Sequence, residues 1–129
     1  MYTLVICLFI ACLLPYLSKM PLAIAQARHP TGYDNNHPRQ QQAELTGFGA
    51  RALAAHQNSF ESLIIFSAAT LTALATDHTS ETIQYLAITY VVSRVVYHAL
   101  YLLDWATLRS IIWTISLIMS LSMIWICLP

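Results

Sequence analysis

Four runs of predominantly apolar residues, each close to twenty long, leave this chain little choice of architecture. A helix needs about 20 apolar residues to cross a bilayer. Inside lipid only helices and closed barrels satisfy every backbone N–H and C=O. Runs this long fit helices, not barrel strands of roughly ten residues. The spacing predicts helices over Tyr2–Ala25, Gln41–Ala75, Thr82–Leu103 and Ala106–Cys127. The expected fold is therefore an all-α integral membrane four-helix bundle, one domain over residues 1–129.

Composition agrees. The chain is 57% hydrophobic and 9% charged, whereas soluble domains carry about 25% charged residues. Lys and Arg balance Asp and Glu, so net charge is zero. The scattered cations give no footprint for nucleic acid. Cys7, Cys12 and Cys127 lie in apolar runs without metal-ligand spacing, and no histidine pair has a supporting carboxylate. Neither a disulfide framework nor a metal site is expected. The first run lacks the basic start of a signal peptide, its first cation being Lys19. It reads as a retained span, with Pro15 and Pro21 as tolerated kinks.

The linkers set the orientation. Residues 26–40 form a polar loop rich in Pro, Gly and Asn, and Thr76–Glu81 is a short turn whose Ser80 suits a helix N-cap. The long loop carries Arg28 and Arg39, and the 76–81 turn has no Lys or Arg. That asymmetry predicts a cytoplasmic long loop, with both termini on the opposite side.

Polar residues inside the apolar runs are the candidates for function, because charge within a membrane is expensive. Glu44, Arg51 and Asn58 are spaced by seven and share one helical stripe, with Glu61 close to it. On the third run Tyr90, Arg94, Tyr97 and Tyr101 fall within a sector of roughly 60°. Arg94 is the only cation of that helix, and its natural partner is Glu61 or the carboxylate of a ligand. An Arg94–Glu61 pair could simply fix helix register. The additional groups Arg51, His56, Asn58, Tyr97, Tyr101 and Arg109 point instead to a polar pocket. His56 lies on another face from Arg51 and suits a contact between helices; His98 adjoins the tyrosine stripe and fits either role.

These residues resemble the MAPEG family, the membrane-associated proteins in eicosanoid and glutathione metabolism. Arg51-Ala-x-x-Ala-His-x-Asn58-x-x-Glu61 is similar to its helix-two signature, Arg94-x-x-Tyr97-x-x-x-Tyr101 to its second cluster, and Arg109-Ser110 to its third. Tyr33–Arg39 and Leu45-Thr-Gly47 resemble the bacterial branch, which implies the bacterial inner membrane. Ala54 stands where the eicosanoid-synthesising members carry an arginine.

The resemblance implies a homotrimer with glutathione sites between neighbouring subunits. It implies that Arg51, Asn58, Glu61, Arg94, Tyr97 and Tyr101 bind glutathione, and that Arg109 stabilises its thiolate. The implied activity is a glutathione-dependent transferase or peroxidase acting on small hydrophobic electrophiles or lipid hydroperoxides arriving through the bilayer. The family also has a non-catalytic member, so a lipid- or partner-binding protein on the same scaffold is the alternative.

Overall fold

The computed structural model describes residues 1–129 and is entirely helical. Its elements are α1 (Tyr2–Ala27), α2 (Pro38–Glu44), α3 (Phe48–Ala75), α4 (Glu81–Leu102) and α5 (Ala106–Ile126). The four long helices are each long and apolar enough to cross a membrane. The chain is thus a four-helix membrane bundle with one short additional helix at its loop end.

That additional helix corrects the sequence reading. One continuous helix was expected from Gln41 to Ala75, but α2 and α3 are separated at Leu45–Gly47. Leu45 is extended (ψ 142°) and Gly47 takes φ 54°, ψ −124°. A positive φ suits glycine, which has no Cβ to clash. Glu44 consequently leaves the stripe it was expected to share with Arg51 and Asn58. Helix α2 also begins within the segment read as a loop, with Pro38 in its first turn. Proline there sacrifices no helical hydrogen bond.

The other boundaries follow their local signals. Ser80 caps α4, its Oγ accepting from the Ile83 N–H at 3.5 Å. Pro15 and Pro21 sit inside an unbroken α1. The Pro15 carbonyl accepts from Ser18 Oγ at 2.7 Å and lies 2.9 Å from His56 Nδ1 on α3. His56 therefore joins α1 to α3.

The long helices run antiparallel. The 28–47 segment and the Leu103–Trp105 turn lie at one end; Met1, the 76–80 turn and Cys127 lie at the other. Helix α3 is the hub, packed against every other helix. The apolar core fills the half away from the long loop. There Leu4 and Cys7 of α1, Phe66 and Ala69 of α3, Ile83 and Ala87 of α4, and Met123 of α5 are buried together. In lipid, helix association rests on close packing rather than on escape from water. Alanines at 11, 69, 73 and 87 permit that approach, and Phe66 stacks on Tyr90 at 3.8 Å between ring centroids. The outer faces are apolar, as a bilayer requires: Ile64 is 72% exposed and Trp125 74%.

At the loop end the bundle is held by amides. Gln26 is fully buried and donates to Pro38 O at 3.3 Å and to Gln41 Oε1 at 3.2 Å. Its own Oε1 accepts from Gln42 at 3.3 Å and from Lys19 Nζ at 3.1 Å. This clasp ties α2 to α1 and makes the loop half the more polar one, while the other half buries few polar groups, Thr70 and Ser120 among them.

Candidate functional site

The polar half contains a continuous line of cations and aromatic rings along α4. Arg94 is the largest side chain buried in the protein, 1% exposed. A guanidinium cannot shed its charge, so its burial demands partners. Its Nη2 donates to Asn58 Oδ1 at 2.7 Å and reaches Asn58 O at 3.5 Å. The Asn58 Nδ2 in turn donates to Glu61 Oε2 at 3.0 Å. The amide therefore relays between cation and carboxylate.

Of the two partners expected for Arg94, Glu61 or a ligand carboxylate, Glu61 is met only through Asn58. No Arg94–Glu61 ion pair forms; the only one in the chain is Arg51–Asp104, at 3.9 Å. The reason is geometric. Asn58 offers an acceptor to the buried side and a donor to the outer side, whereas Glu61, three residues on, lies on the exposed face at the middle of α3. Glu61 keeps an open carboxylate, and Arg94 Nη1 is buried without a hydrogen-bond partner.

Toward the loop end the line continues through aromatic faces. The Arg94 guanidinium carbon lies 4.1 Å from the Tyr97 ring centroid. Tyr97 meets Tyr101 edge to face at 5.6 Å. Arg109, in the first turn of α5, covers the Tyr101 ring at 4.1 Å. Such contacts are attractive because the ring face is electron-rich, by about 0.5–2 kcal/mol depending on hydration. The i, i+3, i+7 spacing of Arg94, Tyr97 and Tyr101 brings them onto one face, and the short 103–105 turn returns Arg109 to it.

Two adjoining cavities flank this line. One, of about 80 Å³, is bounded by Asn58, Glu61, Ser62, Tyr90, Ser116 and Ser120 among others. The second, of about 200 Å³, is bounded by Tyr97, Tyr101, Arg109, Ser110 and Trp113. Trp113 borders both. Asn58 and Glu61 thus open into the first, and Tyr97, Tyr101 and Arg109 into the second. Arg51 stands apart: it reaches Leu102 O at 3.5 Å besides Asp104, and so holds the α4–α5 turn.

Sequence reasoning missed Trp113, Ser62, Ser116 and Ser120. Trp113 lies one turn beyond Arg109, which is a usable signal; the serines carry none, since serine in a membrane helix commonly bonds its own backbone. Ser116 and Ser120 do so, to Trp113 O and Ser116 O. Ser62 instead bonds the Tyr90 hydroxyl. His98, left open above, bonds Arg94 O through Nδ1 at 2.7 Å and supports the stripe from behind.

Fold and site together define a small integral membrane protein, a four-span bundle with a relayed ion pair and a cation–aromatic line at one end. The chain belongs to the MAPEG family, whose family model matches residues 3–129. Members of that family act in glutathione and eicosanoid metabolism at membranes. No curated protein and no solved structure matches the chain.

Proposed function

We propose that the protein is a glutathione-dependent transferase or peroxidase acting on hydrophobic electrophiles or lipid hydroperoxides, and that it works as a homotrimer. The observation that carries this reading is the line from Glu61 through Asn58 and Arg94 to Tyr101 and Arg109. It brings together one exposed carboxylate, a buried guanidinium linked to it through Asn58, and a second guanidinium, in that order. Those groups suit an ammonium, a carboxylate and a thiolate. Seven residues of α4 separate Arg94 from Tyr101, about 10 Å along the helix. An extended tripeptide spans about the same length.

Size supports the trimer. Ligand pockets usually measure roughly 300–1,000 Å³, and each cavity here is smaller. A tripeptide therefore needs a wall from a neighbouring subunit, laid over the open side of α3 and α5. Arg51 borders neither cavity; on this reading it meets the bound peptide only from the α4–α5 turn, where Asp104 and Leu102 O hold it.

Bound glutathione supplies the thiol, whose free pKa is about 8.5. Arg109 is placed to favour its ionised form, because a nearby fixed positive charge stabilises the anion. Tyr101 holds the guanidinium in position from beneath. Glu61, Asn58 and Arg94 orient the peptide, converting an encounter of two solutes into a positioned one. The apolar flank of α5 admits the electrophile from the bilayer. The proposed location is the bacterial inner membrane with the long loop in the cytoplasm, since all Lys and Arg lie toward that end or mid-bundle.

The test is a thiolate absorbance titration of glutathione on the purified protein. Wild type should show thiolate well below pH 8.5, and Arg109→Ala should shift it back toward that value. No thiolate signal in either protein favours the non-catalytic lipid- or partner-binding reading. Crosslinking in mild detergent tests the trimer separately.

A further inference from the structure

All six Lys and Arg lie in the loop-side half of the bundle; three have a direct partner, and Arg28, exposed at the end of α1, borders one cavity together with Glu44. Arg51 pairs with Asp104, Arg94 with Asn58, and Arg109 covers Tyr101. Lys19 and Arg39 do not fit that pattern. Neither has a carboxylate within ion-pair distance. Lys19 has a single hydrogen bond, to the neutral Gln26 Oε1, which leaves two of its three donors free. Arg39 is exposed and makes no side-chain hydrogen bond.

The fold brings these like charges together. The Gln26–Pro38 bond closes α2 onto α1 and sets Arg39, the next residue, beside the Gln26 amide that Lys19 Nζ also reaches. His56 on α3 meets Ser18, the residue before Lys19, at 3.1 Å. Two cations held at one corner without an anion lose Coulomb energy at the edge of a bilayer, where screening by water is incomplete. The arrangement lacks one component, a negative charge.

What lies below the corner indicates the source of that charge. Tyr16 is one turn from Lys19 toward the bilayer centre, and Phe60 is one turn from His56 in the same direction. The two rings meet edge to face at 6.0 Å, and Phe60 meets His56 at 5.4 Å. Tyr16 is 70% exposed and Phe60 41%. Passing inward from the loop end, the surface therefore changes from two free cations to an open aromatic shelf. That is the polarity profile of a phospholipid, anionic at the head and apolar beneath. A soluble anion would match only the upper part.

We infer that Lys19 and Arg39 bind the phosphate of an anionic phospholipid, with its acyl chains lying against Tyr16 and Phe60. The corner is on the α1 flank of α3. His56 and Asn58 are about 200° apart around that helix, so the lipid corner and the Asn58–Arg94 line face different ways. The inference does not depend on the glutathione reading.

The experiment uses the full chain in nanodiscs of equimolar phosphatidylglycerol and phosphatidylcholine, with retained lipid counted by native mass spectrometry after release into detergent. Each cation near a membrane surface is worth roughly fivefold in affinity for an anionic lipid. Wild type should retain phosphatidylglycerol preferentially. Lys19→Gln and Arg39→Gln should each lower that preference roughly fivefold. Lys19→Arg should preserve it. Arg28→Gln removes a charge from the same end outside the corner and should change nothing. Equal losses in Arg28→Gln and Arg39→Gln would mean general surface charge and overturn the site. Complete displacement of the lipid by inorganic phosphate would assign the corner to a soluble anion and overturn the lipid. A raised glutathione KM with unchanged lipid preference would assign the cations to thiol binding, again against the inference. Should Lys19→Gln lose its helical circular dichroism, Arg39→Gln decides alone, because Arg39 is exposed and unbonded.

Discussion

Arg94 and Asn58 are joined by a 2.7 Å hydrogen bond between a buried guanidinium and a side-chain amide. The amide turns the cation outward toward Glu61 without exposing it. Removing one partner of a buried charged bond leaves a charge without compensation, whereas replacing both with apolar groups is often neutral. Asn58→Ala should therefore destabilise the protein by about 2–3 kcal/mol. Asn58→Leu with Arg94→Leu should recover most of that loss. Neither protein should bind glutathione. Thermal unfolding in detergent and calorimetric titration read the two effects separately. A stable Asn58→Ala protein would show that water or lipid already compensates Arg94.

Tyr101 supports Arg109 with its ring face, so the ring and not the hydroxyl should matter. Tyr101→Phe keeps the face and should retain near-normal thiolate formation. Tyr101→Leu removes it and should cost about 1 kcal/mol, roughly fivefold in kcat/KM. Turnover of a small aryl halide with glutathione measures both. Equal loss in the two variants would transfer the role to the hydroxyl.

Gly47 separates α2 from α3 at φ 54°, ψ −124°, with open space where a Cβ would stand. Gly47→Ala should thus be opposed by backbone strain alone, about 1–3 kcal/mol. Gly49 has the opposite problem: an added Cβ meets Leu45 Cβ at 3.0 Å and Ala25 Cβ at 3.3 Å. Gly49→Ala should push α3 from α1. Limited proteolysis after residues 45–47 should rise with Gly47→Ala. Cleavage no faster than in wild type would mean that the break between the helices tolerates alanine.

Asp34 organises the long loop. Its Oδ1 accepts from the N–H groups of Asn36 at 2.8 Å and His37 at 2.9 Å. The His37 bond chiefly, with Asn36 beside it, holds the carboxyl below its ordinary 3.8. A carboxyl lowered on folding stabilises the folded loop above that ordinary value. The contribution fades as pH falls through the lowered one. Hydrogen exchange at Asn36 and His37 should therefore be flat from neutral pH down to about 4 and quicken only below it, once the intrinsic pH dependence is removed. Asp34→Asn should abolish that acid step. An unchanged acid step in Asp34→Asn would place the titrating group elsewhere.

The spans were legible because lipid leaves the backbone no alternative. Long apolar runs had to become helices, and the Ser80 cap and the α4 stripe followed from local geometry. The break at Leu45–Gly47 was not, since a lone glycine in a helical pattern reads equally as a tolerated residue. That Arg94 would meet Asn58 directly was not legible either, for a related reason. Charge chemistry favours Glu61, and only the relative depth of α3 and α4 makes Asn58 the nearer acceptor.

Sequence alone thus determined the spans, the family resemblance and the polar end, because each depends on periodicity or on motifs within one helix. Tertiary structure decided which side chains meet. It set Asn58 between Arg94 and Glu61, drew Arg51 to the α4–α5 turn, and brought Trp113 against two cavities. Those outcomes depend on how helices rotate and slide against one another, and that balance is struck by packing between elements rather than within them.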